Sequence, residues 1–183
     1  LIVTLSGCDL FKPREAELPL QPQKWNEFFT SWELTLDNLE YAYEDKRNKD
    51  NYIQILTSDF EFIMDDNDAL DLGLPKPYSW NKSAESEMIE NMHSNLSSLD
   101  STLDVMLTVS SSSNSGPNEV EIEIEYYILR LNAPEETNYE FRGAATLIFV
   151  EDSGYWYLKR WYDYRQDGIT NQTWGKLKYE YVQ

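Results

Sequence analysis

Glu119-Val120-Glu121-Ile122-Glu123-Ile124-Glu125-Tyr126 alternates an acid with an apolar or aromatic residue along its whole length. Successive side chains of a strand point to opposite faces, so this spacing predicts a strand with one buried face and one face of glutamates in water. Upstream, residues 103–109 read as a second strand. The run Ser110-Ser111-Ser112-Ser113-Asn114-Ser115-Gly116-Pro117 between them reads as a flexible hairpin connection. Downstream, residues 138–150, 155–165 and 173–182 continue the pattern, with turns at Asp152-Ser153-Gly154 and near Gln166-Asp167-Gly168. Five antiparallel strands are expected in this half of the chain.

The first half has a different period. Trp25, Phe28, Phe29, Trp32, Leu36, Leu39 and Ala42 with Tyr43 recur at three- and four-residue steps, which predicts one amphipathic helix or two. The polar run from Asp45 to Asp50 interrupts that period, and Tyr52, Ile53, Leu56, Phe60, Ile63 and Met64 resume it as a further helix. Gly73, Pro75 and Pro77 predict an irregular loop from Asp65 to Lys82, packed down through its aromatic residues. Ser83 is the expected N-cap of a helix over 84–96, whose apolar stripe is Met88, Ile89, Met92 and Leu96. Helices followed by long antiparallel strands make an α+β fold, with N-terminal helices packed on the concave face of a strongly curved antiparallel sheet.

The 183 residues suit one domain, and 15 Lys+Arg against 33 Asp+Glu give a net charge of −18. Such a surface repels phosphate backbones, which argues against nucleic acid as a partner. The 13 Tyr, 6 Trp and 7 Phe supply the ring area of a folded core, far more than disordered acidic segments carry. One Cys and one His leave no thiolate cluster for a metal and no motif that implies a catalytic cofactor.

That cysteine sits in Leu5-Ser6-Gly7-Cys8, after an apolar run, and is followed by Asp9. The stretch resembles the lipobox of bacterial lipoproteins, in which an apolar residue and two small residues precede a cysteine that receives lipid and becomes the mature N-terminus. The resemblance implies that residues 1–7 end a signal peptide and that acyl chains on Cys8 hold the protein at a membrane of the bacterial cell envelope. It would face the periplasm or the cell surface. Each buried methylene contributes about 0.8 kcal/mol, so more than one chain anchors durably. Asp9 resembles the inner-membrane retention signal of enteric bacteria, a rule that does not transfer to other groups. Residues 8–23, with Pro13, Pro19 and Pro22 and no period, read as an extended tether, and residues 24–183 as the domain.

Within the domain, residues 51–62, the stretch Tyr155-Trp156-Tyr157-Leu158-Lys159-Arg160-Trp161-Tyr162-Asp163 and a late Trp174-Gly175 resemble, in that order, the NTF2-like superfamily. The resemblance implies a cone of bent sheet closed by N-terminal helices; a cystatin-like or lipocalin-like sheet is the alternative. Superfamily members include enzymes that use an Asp, or an Asp with a His, inside the cone, and relatives that only bind.

Asp163 is therefore the catalytic candidate, with Tyr41, Trp80, Tyr126 and Trp161 as candidate ligand-binding residues and Tyr127 as a further wall. A carboxyl among rings can serve as a general base, because burial disfavours its charged form. The same alternation places Trp161, Asp163 and Arg165 on one face, so an Asp163–Arg165 ion pair is the structural alternative, and the preferred one. His93, beside the stripe of its helix, reads as partly exposed. Asp65-Asp66-Asn67-Asp68 with Asp71 invites calcium, but lacks the glycine and closing glutamate of an EF-hand and reads as a solvated helix end. Arg142, Lys159, Arg160, Lys176 and Lys178 are the expected counter-charges for the glutamates of 119–125. Asn81, Asn95 and Asn171 begin Asn-x-Ser/Thr sequons, which matter only in a eukaryotic secretory pathway. Two functions follow: a tethered module that binds a small apolar ligand or a protein partner without catalysis, or a small cofactor-independent isomerase or dehydratase that uses Asp163.

Overall fold

Asn26 and Asn38 decide where the first helix begins. The Asn38 side chain accepts from the Asn26 backbone N–H at 2.7 Å and donates to its carbonyl at 2.9 Å, which ties residues 22–31 alongside the helix instead of letting them extend it. In this computed structural model, which describes residues 22–132, 139–166 and 172–182, α1 therefore spans Trp32–Glu44, capped by Ser31, and not the stretch from Trp25. Cys8 and the tether as far as Gln21 lie outside the described residues, as do Asn138, Asp167, Gly168 and Asn171.

A 3-10 turn, α2 (Lys49–Tyr52) and a second 3-10 turn lead into β1 (Leu56–Ile63), where a helix was expected. Leu56, Phe60 and Ile63 fit a helical stripe, but Phe60, Phe62 and Met64 also alternate, and the core takes these last three. Asp65 caps α3 (Asp66–Asp71) inside the segment expected to be irregular. After it come β2 (Ser79–Asn81) and α4 (Lys82–Ser98), capped by Asn81 and not by Ser83. Its apolar stripe is buried as expected, and His93 is buried with it, bonded through Nε2 to the Ala42 carbonyl at 2.8 Å.

The second half holds β3 (Thr102–Gly116), β4 (Glu119–Leu131), β5 (Glu140–Asp152), β6 (Tyr155–Tyr164) and α5 (Trp174–Tyr179). The serine run is strand and not connection: Ser111 to Asn114 pair with Glu123 to Val120, and only Pro117 and Asn118 turn the chain. Residues 174–179 are helical because Trp174, Leu177 and Lys178 fall on one buried side, with the Thr173 side chain capping the first turn. The fifth expected strand is this helix.

The sheet order is β2-β1-β6-β5-β4-β3. Its pairs are antiparallel except β1 with β6, which run parallel and bring the first half of the chain onto the last strand. Ile122, Ile124, Tyr126, Phe141, Leu147, Phe149, Leu158 and Trp161 form the inner face, covered by α1, α4 and α5. The expected α+β architecture, helices on a curved and mainly antiparallel sheet, is the observed one.

Candidate functional site

Two polar centres lie inside the cone. The first is Asp163, which β6 turns inward opposite Ala145 and which is 1% exposed. Its Oδ1 accepts from the Tyr126 hydroxyl at 2.7 Å and its Oδ2 from the Gly175 backbone N–H at 2.8 Å. Tyr126 in turn accepts from the Trp174 N–H at 2.8 Å, so the start of α5 is hydrogen-bonded onto this pair. Burial raises the Asp163 carboxyl to about 7 against the lowering effect of these two donors. Burial and the facing carboxyl hold the Tyr126 hydroxyl well above its usual range, so it stays a donor.

Arg165 does not pair with Asp163. It lies 2.5 Å from Asp68 and also pairs with Asp71, while Lys176 reaches the same two carboxylates at 3.4 and 3.1 Å. Asp68 and Asp71 of the acidic run at α3 are thus paired with Arg165 and Lys176, and the Thr173 hydroxyl donates to Asp68, which ties α3 to the start of α5. Asp68 is fully buried, which corrects the reading of this run as a solvated helix end. Among the described residues, no group of His, Cys, Asp and Glu has the geometry to hold a metal ion.

The second centre is Glu85, which the first turn of α4 points into the interior. Its carboxylate accepts from Tyr52 at 2.5 Å, Trp80 Nε1 at 2.6 Å, Lys178 Nζ at 2.5 Å and, at 3.4 Å, Tyr43. Lys178 comes from α5 and lies between two rings, 3.6 Å from the Trp161 centroid and 4.0 Å from that of Phe62. Burial pulls the lysine down to about 8, with Glu85 opposing that shift. Burial, then Glu85, raises the Tyr43 and Tyr52 hydroxyls.

Between the centres the space is filled by rings. Trp174 meets Trp161 edge-on at 4.4 Å, Tyr43 at 4.8 Å and Tyr126 at 5.2 Å, and Phe62 stacks on Trp80 at 4.2 Å. No described acceptor meets Trp161 Nε1 or Trp174 Nε1 in hydrogen-bond geometry. Among the described residues, clefts of about 250, 400, 390 and 190 Å³ open on the surface, and none of these is lined by Asp163, Glu85 or Lys178.

The structure brings together three of the four residues expected to bind a ligand: Trp80, Tyr126 and Trp161 line this filled interior with Asp163. Tyr41 lies apart, on the outer side of α1, under the Lys24 ammonium and beside a cleft shared with Asp45 and Arg47. Tyr127 points to the other side of the sheet, against Arg142. Glu85, Lys178, Tyr52 and Trp174 were not among the site residues expected from the sequence, and Lys178 was expected on the outer face as a counter-charge. Nothing local marks Glu85 or Lys178 as buried, since a charged residue in a helix ordinarily faces water and only the tertiary fold turns these two inward.

The glutamate ladder has fewer counter-charges than expected. Lys159 reaches Glu119 at 3.7 Å, but Arg160 pairs with Glu61, Arg142 with Glu140, and Lys176 and Lys178 with the acids already named.

No protein-family model matches the chain, and comparison with curated proteins returns no match. Solved structures do resemble it. A candidate scytalone dehydratase from Novosphingobium aromaticivorans superposes with a TM-score of 0.58 at 10% identity, covering 76% of this chain and 93% of that one. An NTF2-like protein of unknown function from Prochlorococcus marinus gives 0.52 at 19% identity, covering 76% and 95%. A domain of unknown function with a cystatin-like fold from Nostoc punctiforme gives 0.51 at 7% identity, covering 74% of each chain. At these identities the likeness is one of fold, and the fold of this domain is the NTF2-like, cystatin-like cone.

Proposed function

We propose that this chain is a membrane-tethered interaction module of the bacterial cell envelope, anchored through acyl chains on Cys8, whose domain works through its surface and not by a reaction inside the cone. The observation that carries this reading is the filled interior. Trp161, Trp174, Phe62 and the Lys178–Glu85 pair occupy the space where a substrate would lie. A small apolar ligand would have to displace Trp174. The tether rests on Leu5-Ser6-Gly7-Cys8 in the sequence.

One observation favours the second reading, an isomerase- or dehydratase-type enzyme: Asp163, with a carboxyl at about 7, faces a tyrosine hydroxyl, a pairing suited to moving a proton near neutral pH. An apolar fluorescent probe separates the two. The interaction module leaves the probe unbound in the wild type and binds it after Trp174→Ala, which empties the space between the rings. Saturable, one-to-one binding to the wild type, with quenching of the buried tryptophans, would show a hollow cone and defeat this reading.

A further inference from the structure

We propose that the outer face of the sheet docks an extended, basic segment of a partner protein along the glutamate ladder of β4; this deepens the interaction-module reading and rests on it. On that face Glu121, Glu123 and Glu125 stand in a row, and among the described residues none of them forms an ion pair. Their neighbours on β3 are Ser113, Ser111 and Thr108, and on β5 Ile148, Thr146 and Ala144. Among the described residues, only the Ser111 hydroxyl donates to a carboxylate of these three, to Glu123 at 2.8 Å. The flanking cations are engaged elsewhere, Arg160 with Glu61 at 3.9 Å and Arg142 with Glu140 at 2.9 Å.

The face is not merely acidic. It carries two shallow hollows of about 400 and 390 Å³, one at each end of the ladder. Thr146, Ile148, Tyr162 and Tyr164 line the first together with Lys159 and Arg160, already paired with Glu119 and Glu61; Met106, Thr108 and Tyr127 line the second together with Arg142, already paired with Glu140. Met106 is 52% exposed and Tyr164 42%, so the thioether and the ring are both open to a partner.

Charge and spacing select the occupant. Glutamates at every second residue of a strand repeat about every 7 Å, and an extended peptide with Lys or Arg at every second position has the same repeat. From Glu119 to Tyr127 the ladder suits about nine such residues, and Tyr162 and Tyr164 offer ring faces for cationic side chains. A second copy of this chain would set ladder against ladder, and nucleic acid would bring more negative charge; a basic polypeptide alone complements the face.

The test uses the full chain and two synthetic peptides of about nine residues, one alternating Lys with Thr and one alternating Glu with Thr. Calorimetry is expected to show one-to-one binding of the lysine peptide only, weakening about tenfold or more as salt rises from roughly 0.02 to 0.3 M. Amide shifts should concentrate at Thr146, Ile148, Tyr127 and Tyr162. Glu121→Lys, Glu123→Lys and Glu125→Lys together should abolish binding. Glu27→Lys, Glu33→Lys and Glu87→Lys, with the same net charge on the helical side, should reduce it far less.

Equal loss in both triple variants would mean attraction to overall charge and would overturn the proposal. So would binding that survives in the ladder variant, equal binding of the glutamate peptide, or sedimentation showing a dimer closed over this face. Each of these outcomes with a cone that excludes the apolar probe removes this proposal alone; probe binding inside the wild-type cone removes the reading beneath it.

Discussion

Lys178 Nζ lies 2.5 Å from Glu85 Oε1, and neither side chain keeps any exposure to solvent. Removing one member of a buried pair leaves an uncompensated charge, whereas removing both does not. Lys178→Met or Glu85→Gln alone should each cost about 3–5 kcal/mol, and the double variant should recover much of that loss. Urea unfolding at neutral pH measures the cycle. Two single costs that simply add would mean that the pair is not coupled.

Asp163 should make stability depend on pH. Its folded pKa of about 7 lies above the ordinary 3.8, so the folded state holds the proton more tightly. The contribution is complete below the ordinary value and is lost as pH rises through about 7. Between pH 5 and pH 8 the wild type should lose stability relative to Asp163→Asn, which keeps an acceptor for Tyr126 but does not titrate. Glu40, also raised to about 7 by burial and then by Glu44 and Asp37, has the same sign in both proteins and cancels. Parallel pH profiles for the two would refute the assignment.

Two glycines are closed to any side chain. A Cβ on Gly175 would come within 2.7 Å of Asp163 Oδ2 and 3.3 Å of Met64 Cγ, and one on Gly143 within 2.6 Å of the Tyr164 carbonyl oxygen. At Gly116 the nearest atom is at 3.5 Å, ordinary contact. Gly175→Ala and Gly143→Ala should each destabilise by about 1–3 kcal/mol or more, while Gly116→Ala changes little. Melting temperatures of the three decide it, and a Gly175→Ala protein as stable as Gly116→Ala would contradict the close docking of α5.

The proposed anchor at Cys8 has its own readout. Expressed from its full precursor in a bacterial host, the protein should enter the detergent phase on phase partitioning, and Cys8→Ser should move to the aqueous phase. A variant that stays with membranes would rule out Cys8 as the attachment point.

What could be read from the sequence followed the quality of its periods. β4 was legible because Glu and Ile or Val alternate without a break, and α4 because Met88, Ile89, Met92 and Leu96 fit only a helix. β1 was not, since Leu56, Phe60 and Ile63 satisfy one period while Phe60, Phe62 and Met64 satisfy the other. α5 failed in the opposite direction: Leu177, Tyr179 and Tyr181 alternate like a strand, although Trp174, Leu177 and Lys178 are the residues that pack. The inward turn of Asp163 beside Tyr126 was within reach of strand alternation. Its partner Gly175 and the whole Glu85 centre were not, because they depend on how α4 and α5 meet across 93 residues of chain.

The docking of α5 also separates the framework of the cone from its closure. Strands β1 to β6 are complete at Tyr164, yet the rings and ammonium that close the cone arrive only with Trp174 and Lys178. Without those residues Glu85 would have no counter-charge and Trp161 would face an open space. The last helix is thus the stopper of the cone: a chain cut between Tyr164 and Trp174 would keep all six strands yet lose its closure, and its uncovered rings would be what proteases and chaperones recognise.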